Sequence, residues 1–374
     1  MARSSLAVLM TLLIAACFSA TFVFAVGESA GRKSKKAAKQ ARRELSNAAK
    51  LLKAKRYDQG IARLEKIVAS YPQNDRSTKR AKKLLLEYGV GKEIRVRLID
   101  RGFFRKKLKM KDRAILKSCE DALVNVRQIY QKVPRFFRDT RLEMLFYDSE
   151  ARFNEQTGQK YFPAHFEPRS ADYEARTFDG KFHWHFPTYA NTLRDRKLIM
   201  QSIMYHELAH YCNWVHFAGS LPIVLDEGLA SYIQSRLHTE YYQYFRQTEK
   251  QRMESDARNG LSQLAKYPQF VKFLDSVQGF GRVDESLRRW YGLSYAVVDY
   301  TLNGKVKGKK VTLEKLMRQF AIVVHAHTGE TTGRVTRMPQ KATLANILRA
   351  LLGVSLEEFH QGFVKYILAN YRQM

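Results

Sequence analysis

Residues 203–214 read IMYHELAHYCNW, and the spacing of their two histidines decides how the rest of the chain is read. His206 and His210 stand four apart, with Glu207 beside the first. On a helix that spacing puts both imidazoles on one face, one turn apart. Two imidazoles so placed make two ligands for a metal ion, and Glu207 is positioned to take a proton from water as general base. Ile203, Met204, Leu208, Ala209, Tyr211 and Cys212 are uncharged, and no proline interrupts the segment. Such a helix can be buried and hold its site in a dry cleft. The competing account is an ordinary amphipathic helix that carries two histidines by chance. A catalytic zinc needs three protein ligands and an open position, so the pair alone is half a site.

The stretch LDEGLASYIQSR, residues 225–236, supplies the missing donor. Glu227 follows His210 after a linker containing Gly219, Ser220 and Pro222, and begins a second amphipathic helix with Leu229, Ala230 and Ile233 on its apolar side. A turn between the two helices returns Glu227 to the histidines as third ligand. Gly228 and Ala230 are small and permit close packing of the second helix against the first. The alternative for Glu227 is a first-turn glutamate favoured by the helix dipole.

HELAH followed by LDEGLASY resembles the gluzincin metallopeptidases. It is more closely similar to a family of exported bacterial gluzincin-like proteins whose substrates are unassigned. The resemblance is close at the two metal helices. It is looser at RRWYGLSYAVVDYTL (288–302) and ALLGVSLEEFHQGFVKYI (350–367), so that it spans residues 91–370. It implies a zincin-like domain, Zn2+ held by His206, His210 and Glu227, Glu207 as the base, and a peptide or protein substrate. It also implies a hydrogen-bond donor for the developing oxyanion on a later helix, with Tyr291 the first candidate and Tyr295 the second. Two positions depart from the pattern. Val224 stands where the family usually has tryptophan. Ser231 stands where thermolysin-type members have an aspartate supporting a histidine, so another group must orient that ring, and Asp226 is the neighbour available. The ligand set alone would equally suit other amide or ester cleavage.

The bulk numbers bound what surrounds this site. The chain has 374 residues, 45% hydrophobic and 12% aromatic, enough for a substantial core and against global disorder. Its net charge of +29 implies attraction to anionic lipid, acidic polysaccharide or nucleic acid, or else a solvated basic surface. No nucleic-acid module is legible. The aromatic and basic stretch DRGFFRKKLKMKDR, residues 100–113, reads as a solvated loop first and a polyanion contact second. Residues 6–26 are almost continuously apolar and follow Arg3, which reads as a secretory signal ending at Ala25. An uncleaved anchor and a lipoprotein cleavage box at Cys17 are the alternatives, and the flank of Arg32, Lys33, Lys35 and Lys36 argues against simple export. Export to the envelope or beyond is the favoured reading. Cys119 and Cys212 read as buried thiols rather than a disulfide framework.

Three segments follow: 1–25 as signal or anchor, 26–90 as a basic helical hairpin, and 91–374 as the metallopeptidase-like domain. AAKLLKAKRYDQGIARLEKIVASYP resembles one tetratricopeptide unit, with Ala48, Tyr57, Gly60, Leu64, Ile67 and Pro72 in fitting places. A partial helix, RAKKLLLEYG, stops at Gly89. One repeat cannot bury its own face, so the hairpin is expected to pack on the main domain or on a partner, an anionic envelope surface among them. It reads equally as a charged spacer. Beyond Gly91, EIRVRLI alternates as a strand and residues 111–132 read as a helix. RLEMLFYDS, AHFEPRS, YEARTF and KFHWHFP are β-like, with turns expected at Asp148–Ser149, Glu167–Pro168 and Asp179–Gly180. From Asn191 the chain reads as mostly helical, with basic loops at 304–310 and 328–340. Strands first and helices later imply an α+β fold. His183 and His185 share a strand face, read as half-exposed or as lining a cleft; His216 reads as structural, and His325 and His327 stand alone. The function expected is zinc-dependent peptide hydrolysis. The alternative is a non-catalytic envelope scaffold that contacts anionic surfaces or partners through its basic helices.

Overall fold

The computed structural model describes residues 37–52, 54, 57–71, 76–98, 112–158, 164–185, 192–275, 285–330 and 340–372. The apolar run 6–26, most of the basic stretch 100–113 and residues 331–339 of the second basic loop lie outside the described residues. The chain divides into two units, one up to Lys92 and one from Glu93.

In the first unit the described residues form three helices: α1 (37–52), α2 (Tyr57–Ser70) and α3 (Arg76–Glu93). Ala48 and Leu52, Leu64 and Ile67, and Ala81 and Leu84 share one buried cluster. The apolar face of the hairpin is thus covered by α3 within the unit, where the sequence reading expected outside cover. Gly60 permits the close approach of α2 to α1, because a Cβ there would stand 2.6 Å from Leu52 Cδ2. The third helix runs through Gly89 to Glu93, past the expected stop. A glycine inside a helix costs only about 1 kcal/mol relative to alanine, too little to end one without further help.

The second unit is α+β with a small mixed sheet. Strands β1 (Ile94–Leu98), β2 (Asp139–Tyr147), β3 (Ala164–Asp172) and β4 (Thr177–His185) lie in the order β1-β2-β4-β3. The first three in that order are parallel, and β3 pairs antiparallel with β4 as an edge strand. Helix α4 (Asp112–Tyr130) precedes β2. The expected turns are displaced. Asp148–Ser149 starts a helix, α5 (Glu150–Thr157), whose Arg152 amide donates to Ser149 Oγ. Glu167–Pro168 sits within β3, where a bulge between Pro168 and Ser170 absorbs the proline. Gly180 is inside β4, under the Phe166 ring, where a Cβ would meet Phe166 Cε2 at 2.8 Å. The real turn falls at 173–176, expected as strand. Asp172 makes it, accepting the amides of Glu174 and Ala175 at 3.0 and 2.8 Å.

One sheet face carries Phe146, Phe178, Phe182 and Trp184, all buried. It packs on α6 (Leu193–Phe217), where Trp214 stacks on Phe178 at 5.3 Å and Tyr211 meets Phe166 and Phe178. Burying one such ring is worth about 1.5–3 kcal/mol, so this interface anchors α6 to the sheet. Helices then dominate: α7 (Ile223–Leu237), a two-stranded hairpin β5 (Tyr241–Tyr242) and β6 (Gln247–Thr248), α8 (Glu249–Gly260), α9 (Tyr267–Leu274), α10 (Glu285–Asn303), α11 (Leu313–Glu330), α12 (Gln340–Leu352) and α13 (Leu356–Asn370). Helix α7 is buried nearly all round rather than amphipathic. Its Gly228 packs closely against α10, not α6: a Cβ would stand 2.3 Å from the Ser294 carbonyl oxygen. Gly292 brings α10 equally close to α8 at Ala257. Among the described residues no helix is long and apolar enough to cross a membrane.

Candidate metal centre

The site is built where α6 turns back into α7. At its start α6 is capped by Thr192, whose Oγ1 accepts the Asp195 amide at 3.0 Å. At its end Ala218 adopts a left-handed conformation (φ 54°) and Gly219 another (φ 67°), with the Trp214 ring packed where a Cβ of Gly219 would be. Pro222 then precedes α7. Because α7 begins at Ile223, Glu227 lies in its second turn rather than at its start. One turn into the helix, its side chain faces back across α6.

His206, His210 and Glu227 converge. His206 Nε2 lies 3.1 Å from Glu227 Oε2, His210 Nε2 lies 3.2 Å from the same oxygen, and the two Nε2 atoms are 3.1 Å apart. In a tetrahedral site with bonds of about 2.0–2.1 Å, ligand atoms stand about 3.3 Å apart, close to this triangle. His210 and Glu227 are 8% and 5% exposed, and His206 is somewhat more open. Among the described residues these three make the one group of histidine, cysteine and carboxylate side chains that can hold a metal ion.

Each imidazole is oriented from behind. His210 Nδ1 donates to Asp226 Oδ2 at 3.0 Å, and His206 Nδ1 donates to Gln234 Oε1 at 3.0 Å. With the Nδ1 protons so placed, both Nε2 lone pairs face the triangle, the arrangement a ligating histidine needs. The supports are themselves held. Asn213 Nδ2 donates to Asp226 Oδ1 at 2.6 Å, and the Tyr130 hydroxyl donates to Asn213 Oδ1. Gln234 Nε2 donates to Ser202 Oγ at 2.9 Å. Asp226 is therefore the partner that Ser231 cannot be. Gln234 was not legible as one, although it lies seven residues after Glu227 and so on the same helix face.

The electrostatics favour a cation. Burial disfavours charge on His210, yet Glu227 and then Asp226 raise its pKa well above the ordinary imidazole value. Burial likewise pushes Glu227 up, but positive charge on His210 and then the close approach of both imidazoles hold its carboxyl well below the usual range. Two lone pairs and a carboxylate at this spacing repel unless positive charge is shared between them, so the residues present fit a metal ion.

Next to the triangle a cleft of about 490 Å³ opens, lined by His206, Glu207, Gln234 and Tyr291 at this end. Glu207 is half-buried and, among the described residues, makes no hydrogen bond or ion pair. The Tyr291 ring stands edge-on to His206 with centroids 6.1 Å apart. Burial first, then Glu227 and Glu207, raise the Tyr291 pKa well above its ordinary value, so its phenol keeps its proton. Tyr295, the other candidate donor, is buried away from the cleft against Tyr232 at 6.1 Å.

The remaining histidines have other work. His183 and His185 are 4% and 6% exposed, so their face is buried rather than half-exposed, and neither lines the cleft. The reason is α5, whose Phe153 covers that end of the sheet and packs on His185 at 4.9 Å. His183 bonds Tyr147 at 2.9 Å and Glu167 at 3.0 Å. His216 is buried, stacked on Tyr130 at 5.0 Å, with Nδ1 donating to the Pro134 carbonyl. His325 Nε2 donates to the His216 carbonyl at 3.0 Å. Cys119 and Cys212 are free, buried thiols. Compared with known proteins, the chain matches no family model and no curated sequence.

Proposed function

We propose that the protein is a zinc-dependent metallopeptidase of zincin-like fold, exported to the cell envelope or beyond. One observation carries the reading: His206, His210 and Glu227 present three donor atoms to one point, beside an uncommitted Glu207 and a protonated Tyr291 on the same cleft. Two imidazoles, a carboxylate and an open side suit zinc. When bound, zinc supplies a Lewis acid that polarises an amide carbonyl and makes water more acidic. The chain's own residues do the rest. Asp226 and Gln234 hold the two rings in the ligating tautomer. Glu207 accepts the proton of the attacking water and delivers it to the leaving nitrogen as the C–N bond breaks. Tyr291 donates its phenolic proton in a hydrogen bond to the oxygen that gains charge in the transition state.

The test is Glu207→Gln assayed on a broad peptide library, with and without chelator. The expected result is a fall in turnover of about 10²–10⁴-fold with zinc still bound in near-stoichiometric amount. Retained hydrolysis in the variant, or wild-type hydrolysis indifferent to chelator, would sink the mechanism.

A second reading concerns the first unit. Lys39, Arg42, Arg43, Lys50, Lys66 and Lys79 are all exposed on its three helices. These charges suit an anionic envelope surface or partner, whether or not the second unit is catalytic. Vesicles containing anionic lipid should retain the protein at low salt and release it as ionic strength rises; equal binding to neutral vesicles would exclude this role.

A further inference from the structure

The helix that carries the two ligating imidazoles also carries Asn213, three residues after His210 and so on the same side of α6. Asn213 is 2% exposed, and Tyr130, the last residue of α4, is 1% exposed. Burying an amide and a phenol costs free energy unless both find partners. Here they form a chain that ends on a ligand. The Tyr130 hydroxyl donates to Asn213 Oδ1. Asn213 Nδ2 donates to Asp226 Oδ1 at 2.6 Å, and Asp226 Oδ2 accepts the Nδ1 proton of His210 at 3.0 Å. Residues of α4, α6 and α7 are thus joined in one line of hydrogen bonds.

Each link has one workable sense. Burial first, then its neighbours Cys212 and Asp226, raise the Tyr130 pKa well above its ordinary value, so the phenol keeps its proton. That proton has a second acceptor within reach, the Ala209 carbonyl at 3.5 Å, but the Asn213 oxygen is closer and takes it. The phenol is aimed by its ring, which stacks on His216 at 5.0 Å. With Oδ1 turned to Tyr130, the Asn213 amide presents its NH2 group to Asp226. A flipped amide would set its oxygen against the Asp226 carboxylate, acceptor against acceptor. The same Nδ2 stands 3.4 Å from the Asp226 carbonyl oxygen, so it reaches both the side chain and the backbone of that residue.

Asp226 is the member of the line that needs holding. Its side chain is 23% exposed, against 10% for His210, so water competes for its carboxylate. An Asp226 free to turn outward would leave His210 without the acceptor that keeps the proton on Nδ1. We propose that Asn213 and Tyr130 are positioning residues of the metal centre: they pin Asp226 behind His210 and so hold the His210 Nε2 lone pair toward the metal. His206 has a shorter support, Gln234 resting on Ser202, and both of these side chains are buried. The proposal rests on the metal-binding part of the reading above and not on turnover.

The experiment uses the full chain. Zinc affinity is measured by competition with a coloured chelator, and Co2+ bound in place of zinc reports the ligand geometry through its visible absorption bands. Tyr130→Phe removes one oxygen and keeps the ring, while Asn213→Leu removes the amide and nearly keeps the volume. Asn213→Leu is expected to weaken zinc binding by about tenfold and Tyr130→Phe by about fivefold, each with altered Co2+ bands and an intact fold by circular dichroism. In the double variant Tyr130→Phe should add no loss to that of Asn213→Leu, because the two act through one line of bonds. Unchanged zinc affinity or unchanged Co2+ bands in the folded single variants overturns the proposal and leaves the pair a hydrogen bond of the core. Losses that add in the double variant overturn the action of Tyr130 through Asn213. If Asn213→Leu does not fold, Tyr130→Phe decides alone. A parent protein that binds zinc but cleaves no peptide fails the hydrolase reading, and the zinc affinities still decide this proposal; a parent that binds no zinc overturns both.

Discussion

Two histidine pairs invite comparison, His206 with His210 on α6 and His183 with His185 on β4. Both pairs share one face of a regular element, and members of both are buried. Only the helical pair converges, with Nε2 atoms 3.1 Å apart on a shared carboxylate oxygen. The strand pair diverges: His183 turns to Tyr147 and Glu167, and His185 to Phe153. Spacing along one element makes two donors available. A second element arriving with a third donor, and a polar support behind each ring, makes a site. For the helical pair α7 provides all of this through Asp226, Glu227 and Gln234.

The contrast can be challenged first at the ligands. His210→Ala or Glu227→Ala should reduce zinc content, measured by metal analysis after dialysis, to background. His183→Gln should leave zinc stoichiometry untouched. Metal loss in the His183 variant would mean that the strand pair contributes to the site after all.

A further buried histidine, His216, separates structural from ligating roles by pH. Burial pushes the His216 pKa from 6.5 down to about 3, against its bond to the Pro134 carbonyl. The folded protein keeps His216 neutral, while the unfolded chain protonates it below about 6.5. The unfolded state therefore binds the extra proton, and stability falls as pH drops from 6.5 toward 3. At about 1.4 kcal/mol per pH unit, that window is worth on the order of 5 kcal/mol. Urea unfolding at pH 7 and pH 4 should show a smaller difference in His216→Gln than in the parent; an identical difference would show that His216 titrates normally.

Smaller effects are expected behind the ligands. Asp226→Ala or Gln234→Ala should weaken zinc binding by about 10–100-fold, with the fold intact by circular dichroism. Glu167→Gln, the corresponding change behind His183, should not alter zinc affinity. Equal zinc affinity in all three would show that the hydrogen bonds to Nδ1 do not tune the site.

Much of this could be read from residues alone, for identifiable reasons. The helical spacing of His206, Glu207 and His210 is a local property, and a glycine-containing linker followed by Glu227 is nearly one. The α+β class followed from the order of alternating and helical patterns. Turns were less legible. Gly180 and Pro168 looked like turn residues because glycine and proline often are, but one serves ring packing and the other a bulge. The third helix of the first unit was cut short at Gly89 for a similar reason: glycine marks many helix ends but does not compel one.

What local chemistry determines here is which groups are offered: two imidazoles on one helical face, a base beside them, and a carboxylate to follow. What only the folded chain decides is which of them meet and what stands behind them. Gln234 serves His206 because two turns of α7 return it to the face of Glu227. Gly228 lets α10 approach, and α10 carries Tyr291 to the cleft. Such contacts depend on elements distant in sequence, whose relative placement is set by close packing of buried side chains rather than by any periodicity along the chain.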